Sequence, residues 1–210
     1  GQSRFLCKTS LRSSRIKEKK LLRISIHSVD STDELSRNGK LSEESRALSN
    51  DGKEYVQMLT EKISQASDMG NILELILHNP FPGAEKFNGI IYSDILLNKE
   101  KVVVYAAGKP FAKLKSGETF SYEGTIAENI EQYKLDHLIL DDTMSSIKAI
   151  DWALFIPYGI RSYFAKPFYE RNSLRTVLIL CSTSTNAFSE DEIRNYELLY
   201  PFSQRFKKLA

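Results

Sequence analysis

Few residues of this chain are equipped for chemistry, and their spacing decides most of what they can do. Asp136-His137 and Asp141-Asp142 bracket a short apolar run, Leu138-Ile139-Leu140, and carboxylates beside an imidazole are the raw material of a metal site or an acid-base pair. The run has the length of a strand, so His137 and Asp141 share a face but stand about 13 Å apart at ~3.3 Å per residue, too far to hold one ion. Asp141-Asp142 reads instead as a turn or helix N-cap pair, and His137 as a surface or hydrogen-bonded residue rather than a haem ligand. His78 falls near a helix end, where it favours the C-terminal dipole. Cys7 and Cys181 are too few for a disulfide framework or a four-ligand zinc site. No Ser-His-Asp, Cys-His or paired-carboxylate pattern has supporting context, so catalysis is not expected.

The elements that position these residues must come from 210 residues, enough for one ordinary domain with appendages. With 41% hydrophobic and 27% charged residues the chain has the apolar content of a folded protein. Apolar runs such as 72–77, interrupted by Glu74, fall far short of the ~18 residues that cross a bilayer, and nothing resembles a signal peptide. A reducing, cytoplasmic setting is the expectation. The net charge of +2 hides an asymmetry, because residues 1–23 carry eight basic residues and one acid. That segment is +7, and the rest is −5, with 21 Lys and Arg against 26 Asp and Glu. The acidic body is a poor candidate for nucleic acid. The basic tail reads as a solvated arm, as a stretch following a membrane helix and drawn to anionic lipid, or, third, as a nucleic-acid contact. Gly1 read as an expression scar fits an excised fragment, and on the second reading of the tail the chain is the cytoplasmic portion of a membrane-anchored protein.

Residues 1–23 are basic tail, with an alternating segment at 22–26 that fits a short strand, and 24–52 read as polar linker with one short helix near 43–48. Tyr55, Met58, Leu59, Ile63 and Ala66 lie at helical spacing and make 53–67 an amphipathic linker helix. After the interruption at 67–71 a denser apolar helix runs to Pro80. Residues 90–97 and 101–106 form a hairpin, 119–122 a short strand, and Ile126, Ile130 and Tyr133 mark a helix. Helix is also predicted over 145–153, and strands over 138–140, 160–168 and 174–182. Ser189 and Glu192 spell a capping box, with Phe188 and Ile193 as its staple. Tyr196, Leu199, Phe206 and Leu209 continue that last helix, and Pro201 should kink it near Glu197.

Several strings in this order resemble the GAF family of small-molecule sensor domains. They are Gly159-Ile160-Arg161-Ser162-Tyr163-Phe164-Ala165-Lys166-Pro167-Phe168, then Asn186-Ala187-Phe188-Ser189-Glu190-Asp191-Glu192 opening the last helix. Glu123-Gly124-Thr125-Ile126-Ala127-Glu128 and Leu138-Ile139-Leu140-Asp141-Asp142 support them. The resemblance covers about residues 68–209, taken as the GAF-like domain. It implies an α+β, PAS-related fold: a six-stranded antiparallel sheet with the terminal helices on one face and a pocket on the other. The implied role is a regulatory sensor of a larger signalling protein. It binds a small-molecule effector, a cyclic nucleotide or another metabolite, pairs as a homodimer through its terminal helices, and signals to a fused or partner output domain. The alternative is a dimerisation or scaffolding module with a closed pocket.

The residues narrow these implications. Cys181 lies late in the last strand and Cys7 outside the domain, so a covalent bilin is not expected, and the cofactor is otherwise unspecified. The methionine sulfoxide reductase branch needs several pocket cysteines that this chain does not supply. An Asn-Lys-x-Phe-Asp-Glu signature stops after Asn98-Lys99 and leaves cyclic-nucleotide binding open. On the expected pocket elements the ligand-contact candidates are Tyr92, Ser93, Tyr105, Tyr122, Gly124, Thr125, Asp141, Trp152, Phe155, Arg161 and Tyr163. Phe111 is a further aromatic beside them, and Asp94 a further polar group. Core packing is the competing role for each aromatic. Arg161 can instead pair with an acid such as Asp151, and the helix opening at Gly124 offers free backbone N–H groups for an anionic or carbonyl group.

Overall fold

Apolar residues two apart along the strands send alternate side chains to opposite sides of one sheet, and each side builds its own core. A computed structural model describes residues 7–16, 19–28, 50–81, 86–96, 98, 100–170, 173–199, 202, 205 and 206. The expected short helix near 43–48 and Pro201 with its kink lie outside the described residues.

The sheet contains β3 (Gly89–Leu96), β4 (Lys101–Ala107), β5 (Glu118–Ser121), β6 (Leu138–Leu140), β7 (Ser162–Glu170) and β8 (Ser173–Ser182). Its order is β5-β4-β3-β8-β7-β6, and every neighbouring pair is antiparallel. β3 and β8 are central and buried on both faces, which explains their nearly unbroken apolar runs. β6 pairs only with Leu140's partner Tyr163 through Ala165, so β7 is an edge from Lys166 onward. Pro167, which lacks an N–H, is tolerated there.

One face carries α1 (Asn50–Ser64), α2 (Met69–His78) and the C-terminal segment with α4 (Ile193–Glu197). Asp68 caps α2 by accepting the Asn71 N–H at 2.9 Å, and this bond, followed by the Ser67 hydroxyl, lowers the Asp68 pKa. The stripe Tyr55, Leu59 and Ile63 joins Ile72, Ile76, Phe164, Leu180 and Phe206 in a single core. The leading helix therefore shares the sheet's interior. Arg205 fastens the C-terminal segment to the end of α1 by donating to the carbonyls of Ser64 and Ala66 at 3.2 and 2.8 Å. His137 is buried on this same side, stacked on Phe164 at 6.0 Å and 3.1 Å from Glu190 Oε2. It is a hydrogen-bonded core histidine.

The opposite face carries α3 (Ile126–Tyr133) and an irregular segment, residues 143–158. Three sequence expectations change here. The predicted helix over 145–153 is instead a 3-10 turn, Thr143–Ser145, then a single π-turn, Asp151–Phe155, and a second 3-10 turn, Ile156–Tyr158. Pro157 and Gly159, at φ 74°, end the segment before a regular helix can extend. The Ser189 hydroxyl donates to the Glu192 carboxylate at 3.1 Å and heads a 3-10 turn, Glu190–Glu192, before α4 begins. Tail and linker residues pair as a hairpin, β1 (Cys7–Ile16) with β2 (Lys19–Ser28), from Cys7↔Ser28 to Ile16↔Lys19. The β-branched Thr9, Ile16, Ile24 and Ile26 favour extended backbone there.

Candidate functional site

Period-two alternation sends Val102 and Val104 of β4, and Val177 and Ile179 of β8, toward α3 and the irregular segment. α3 answers with Ile126 and Ala127, and the segment with Ile150, Leu154 and Phe155. Between them lies a cavity of about 20 Å³ whose polar lining comes from Ser93 and Thr125. That volume holds about one water molecule. The pocket face is thus filled by the chain's own side chains.

Among the candidate residues, the structure brings Ser93, Thr125 and Phe155 to this cavity. Tyr163 is fully buried next to them, its ring stacked on Phe155 at 4.9 Å and 28°. Tyr92 and Tyr105 belong to the other face: their parity on β3 and β4 turns them toward the helices, where Tyr92 lies 5.4 Å from Phe206 and 6.3 Å from Tyr105. They pack the helix-side core. Trp152 points outward, 53% exposed, with its indole N–H donating to the Ser146 carbonyl at 3.1 Å. Phe111 packs in the pocket-side core against Tyr158. Asp94 is half-buried, and desolvation raises its pKa while Arg175 opposes the shift.

The anion site expected at Gly124 is occupied from within. Glu128 Oε2 accepts the Gly124 N–H at 2.6 Å, and Thr125 Oγ1 accepts the Glu128 N–H at 3.3 Å. Thr125 thus N-caps α3 while Glu128 reaches one residue past the cap, a variant of the capping box whose sequence signal was the spacing Thr125-x-x-Glu128. Gly124 itself adopts φ 80°, a conformation a side chain would strain. Tyr122 donates to Glu131 Oε2 at 2.5 Å; desolvation first, and then this carboxylate, raise its pKa. Arg161 does not pair with Asp151. It forks onto Asp142 at 3.1 to 3.2 Å, while Asp142 Oδ1 also accepts the Met144 N–H at 3.0 Å. Asp142 is therefore the N-cap that its place in sequence suggests. Asp141 is half-buried beside it, its carbonyl accepting the Asn186 N–H at 2.9 Å.

Sequence reasoning missed a polar group beneath the segment. Asp151 is 0% exposed, within reach of the Tyr163, Ser146 and Lys148 side chains and near Cys181. Its signal was a lone acid inside the apolar run 150–155. Burial raises the Asp151 pKa, opposed by the Ser146 hydroxyl, the Lys148 charge and the Tyr163 hydroxyl in that order. The hydroxyls come near enough to favour the charged acid, yet neither carboxyl oxygen closes a hydrogen bond of formed geometry. Burial also pushes the Cys181 thiol and the Tyr163 phenol well up, so the thiol is not poised as a nucleophile. Among the described residues no group of three His, Cys, Asp or Glu side chains is placed to hold a metal ion, and no helix is long and apolar enough to cross a membrane.

No protein-family model matches the sequence, and no curated protein matches it in sequence. In three dimensions the chain is similar to the GAF domain of an Acinetobacter phosphoenolpyruvate-protein phosphotransferase, with TM-score 0.55 and 12% identity over 77% of this chain and 94% of that one. It is also similar to the chromophore-binding domain of Stigmatella aurantiaca bacteriophytochrome, with TM-score 0.54 and 11% identity over 95% and 69% of the two chains. A third similarity is to free methionine-R-sulfoxide reductase from Neisseria meningitidis, with TM-score 0.54 and 12% identity over 77% and 93%. At such identities the likeness speaks for fold alone, and fold does not fix function.

Proposed function

Because the chain has the GAF-domain fold, we propose that it is the regulatory sensor module of a larger signalling protein, taking a small and largely apolar effector beneath residues 143–158. The observation that carries this reading is the small apolar cavity between the sheet, α3 and that irregular segment, with Ser93 and Thr125 as the polar groups that orient a guest. A phosphate-bearing ligand such as a cyclic nucleotide fits less well, because the Glu128 carboxylate already accepts the Gly124 N–H and places a negative charge at the start of α3. The helix-side core, which joins α1 and α2 to the C-terminal segment, is the route by which a change in the sheet reaches an output domain. The buried Cys181 and the capped acids speak for binding rather than catalysis. Homodimerisation through the terminal helices and a cytoplasmic setting belong to the same proposal.

A second reading is a dimerisation or scaffolding module with a closed pocket, and the cavity's size favours it. Thermal shift and native mass spectrometry against a panel of small apolar and amphipathic metabolites separate the two. Sensing predicts a saturable ligand, which at about a hundred times its Kd adds ~2.7 kcal/mol of stability. No ligand, together with a tight dimer in sedimentation, would select the scaffold instead.

A further inference from the structure

We propose that residues 143–158 form a proton-controlled lid over the cavity, latched when Asp151 is a neutral acid and released when it ionises. The placement of the segment supports this. Its inner side presents Ile150, Leu154 and Phe155 to the cavity, while its outer side exposes Met144, Ile147 and Trp152 at 51%, 83% and 53%. Its ends are pinned: Thr143 donates from its N–H to Arg161 and from its hydroxyl to Ile160, at 2.7 and 2.6 Å, and the Ile160 N–H returns to Phe155 at 3.0 Å. Between those pins the backbone takes 3-10 and π-turns rather than a regular helix, and such single turns are frequent at hinges and functional sites.

Asp151 sits at the centre of the span as the fully buried acid. From its own segment it meets the Ser146 hydroxyl and the Lys148 ammonium, from β7 the Tyr163 phenol, and from β8 it lies near the Cys181 thiol. Phenol and thiol are held neutral by burial, and among the described residues Lys148 is the cation that acts on Asp151, itself shifted toward its neutral form by desolvation. A second charge in this core is costly unless it is well paired or reaches water. The short way to water is outward movement of the segment. A carboxyl whose folded pKa is raised above its unfolded value stabilises the closed state fully below the unfolded pKa, and that contribution is lost as pH rises through the folded pKa. The lid therefore closes in acid and loosens toward alkaline pH. This rests on the sensing reading only in giving the lid a ligand to admit.

The chain has one tryptophan, Trp152, and it lies on the lid. Its emission, followed without ligand from about pH 4 to about pH 9, reports the lid directly. Wild type should show a reversible one-proton transition with a midpoint above the usual carboxylate range, at constant far-UV circular dichroism. Asp151→Asn, neutral and isosteric, should lose it. Lys148→Met removes the charge that favours ionisation and should move the midpoint to higher pH, which supplies a second test should Asp151→Asn fold poorly. A flat wild-type curve, a transition that persists in Asp151→Asn, or a midpoint unmoved in Lys148→Met would overturn the lid. None of these outcomes depends on finding a ligand, so a failed ligand search and a failed lid are distinguishable.

Discussion

Both faces of the sheet bury apolar side chains to the same depth, but they close by different means. On the helix face α1, α2 and the C-terminal segment interlock regular stripes, so that Leu59, Ile72, Leu73, Ile76 and Phe206 are each 0% exposed. On the other face one eight-residue helix shares the work with irregular turns, a cavity remains, and Asp151 is buried among apolar neighbours. Regular helices packed along their length resist local opening, whereas short turns with solvent on their outer side open at low cost. Stability is thus concentrated on one face and adaptability on the other, with β3 and β8 common to both.

The largest expected effect tests the rigid face. Phe206→Ala removes a ring that touches Tyr92 at 5.4 Å and Phe168 at 6.4 Å, and should cost ~3–5 kcal/mol in urea unfolding because interlocked neighbours cannot refill the space. Leu154→Ala, also buried but on the irregular segment, should cost only ~2 kcal/mol, since the cost of a lost side chain falls where the site can collapse. Equal losses at the two positions would show a lid as rigid as the helices and would erase the distinction drawn here.

Regular periods made the rigid face readable. Tyr55, Leu59 and Ile63 announce a helix by spacing, and the hairpin of β3 and β4 follows from two apolar runs with turn residues expected around 98–100. Assigning a side was harder: alternation shows that Tyr92 and Ser93 face opposite ways, but not which way the helices lie. Residues 143–158 were illegible for a different reason. Ala149, Ala153 and Leu154 have helical propensity, and what opposes it is the bond of the Thr143 hydroxyl to the Ile160 carbonyl together with the stop at Pro157 and Gly159. Arg161 could be seen to need an acid, but choosing Asp142 over Asp151 required knowing that one is at the rim and the other inside. Of β1 and β2 only the alternation at 22–26 was legible, because Ser, Lys and Arg dilute the apolar pattern elsewhere in the two strands.

The smallest effect separates two jobs held by one residue. Thr125 caps α3 through its hydroxyl and lines the cavity on the adaptable face. Thr125→Val keeps the shape of the side chain and loses the hydroxyl, so it should cost ~1 kcal/mol, the usual worth of an N-cap. Thr125→Ser keeps the acceptor and removes a methyl, so unfolding stability should stay within about 0.5 kcal/mol of wild type. If the cavity admits a guest, the serine variant should alter guest affinity while the valine variant chiefly alters stability. If both variants changed both quantities together, the start of α3 would move with the lid. The adaptable region would then include this helix as well as the irregular segment.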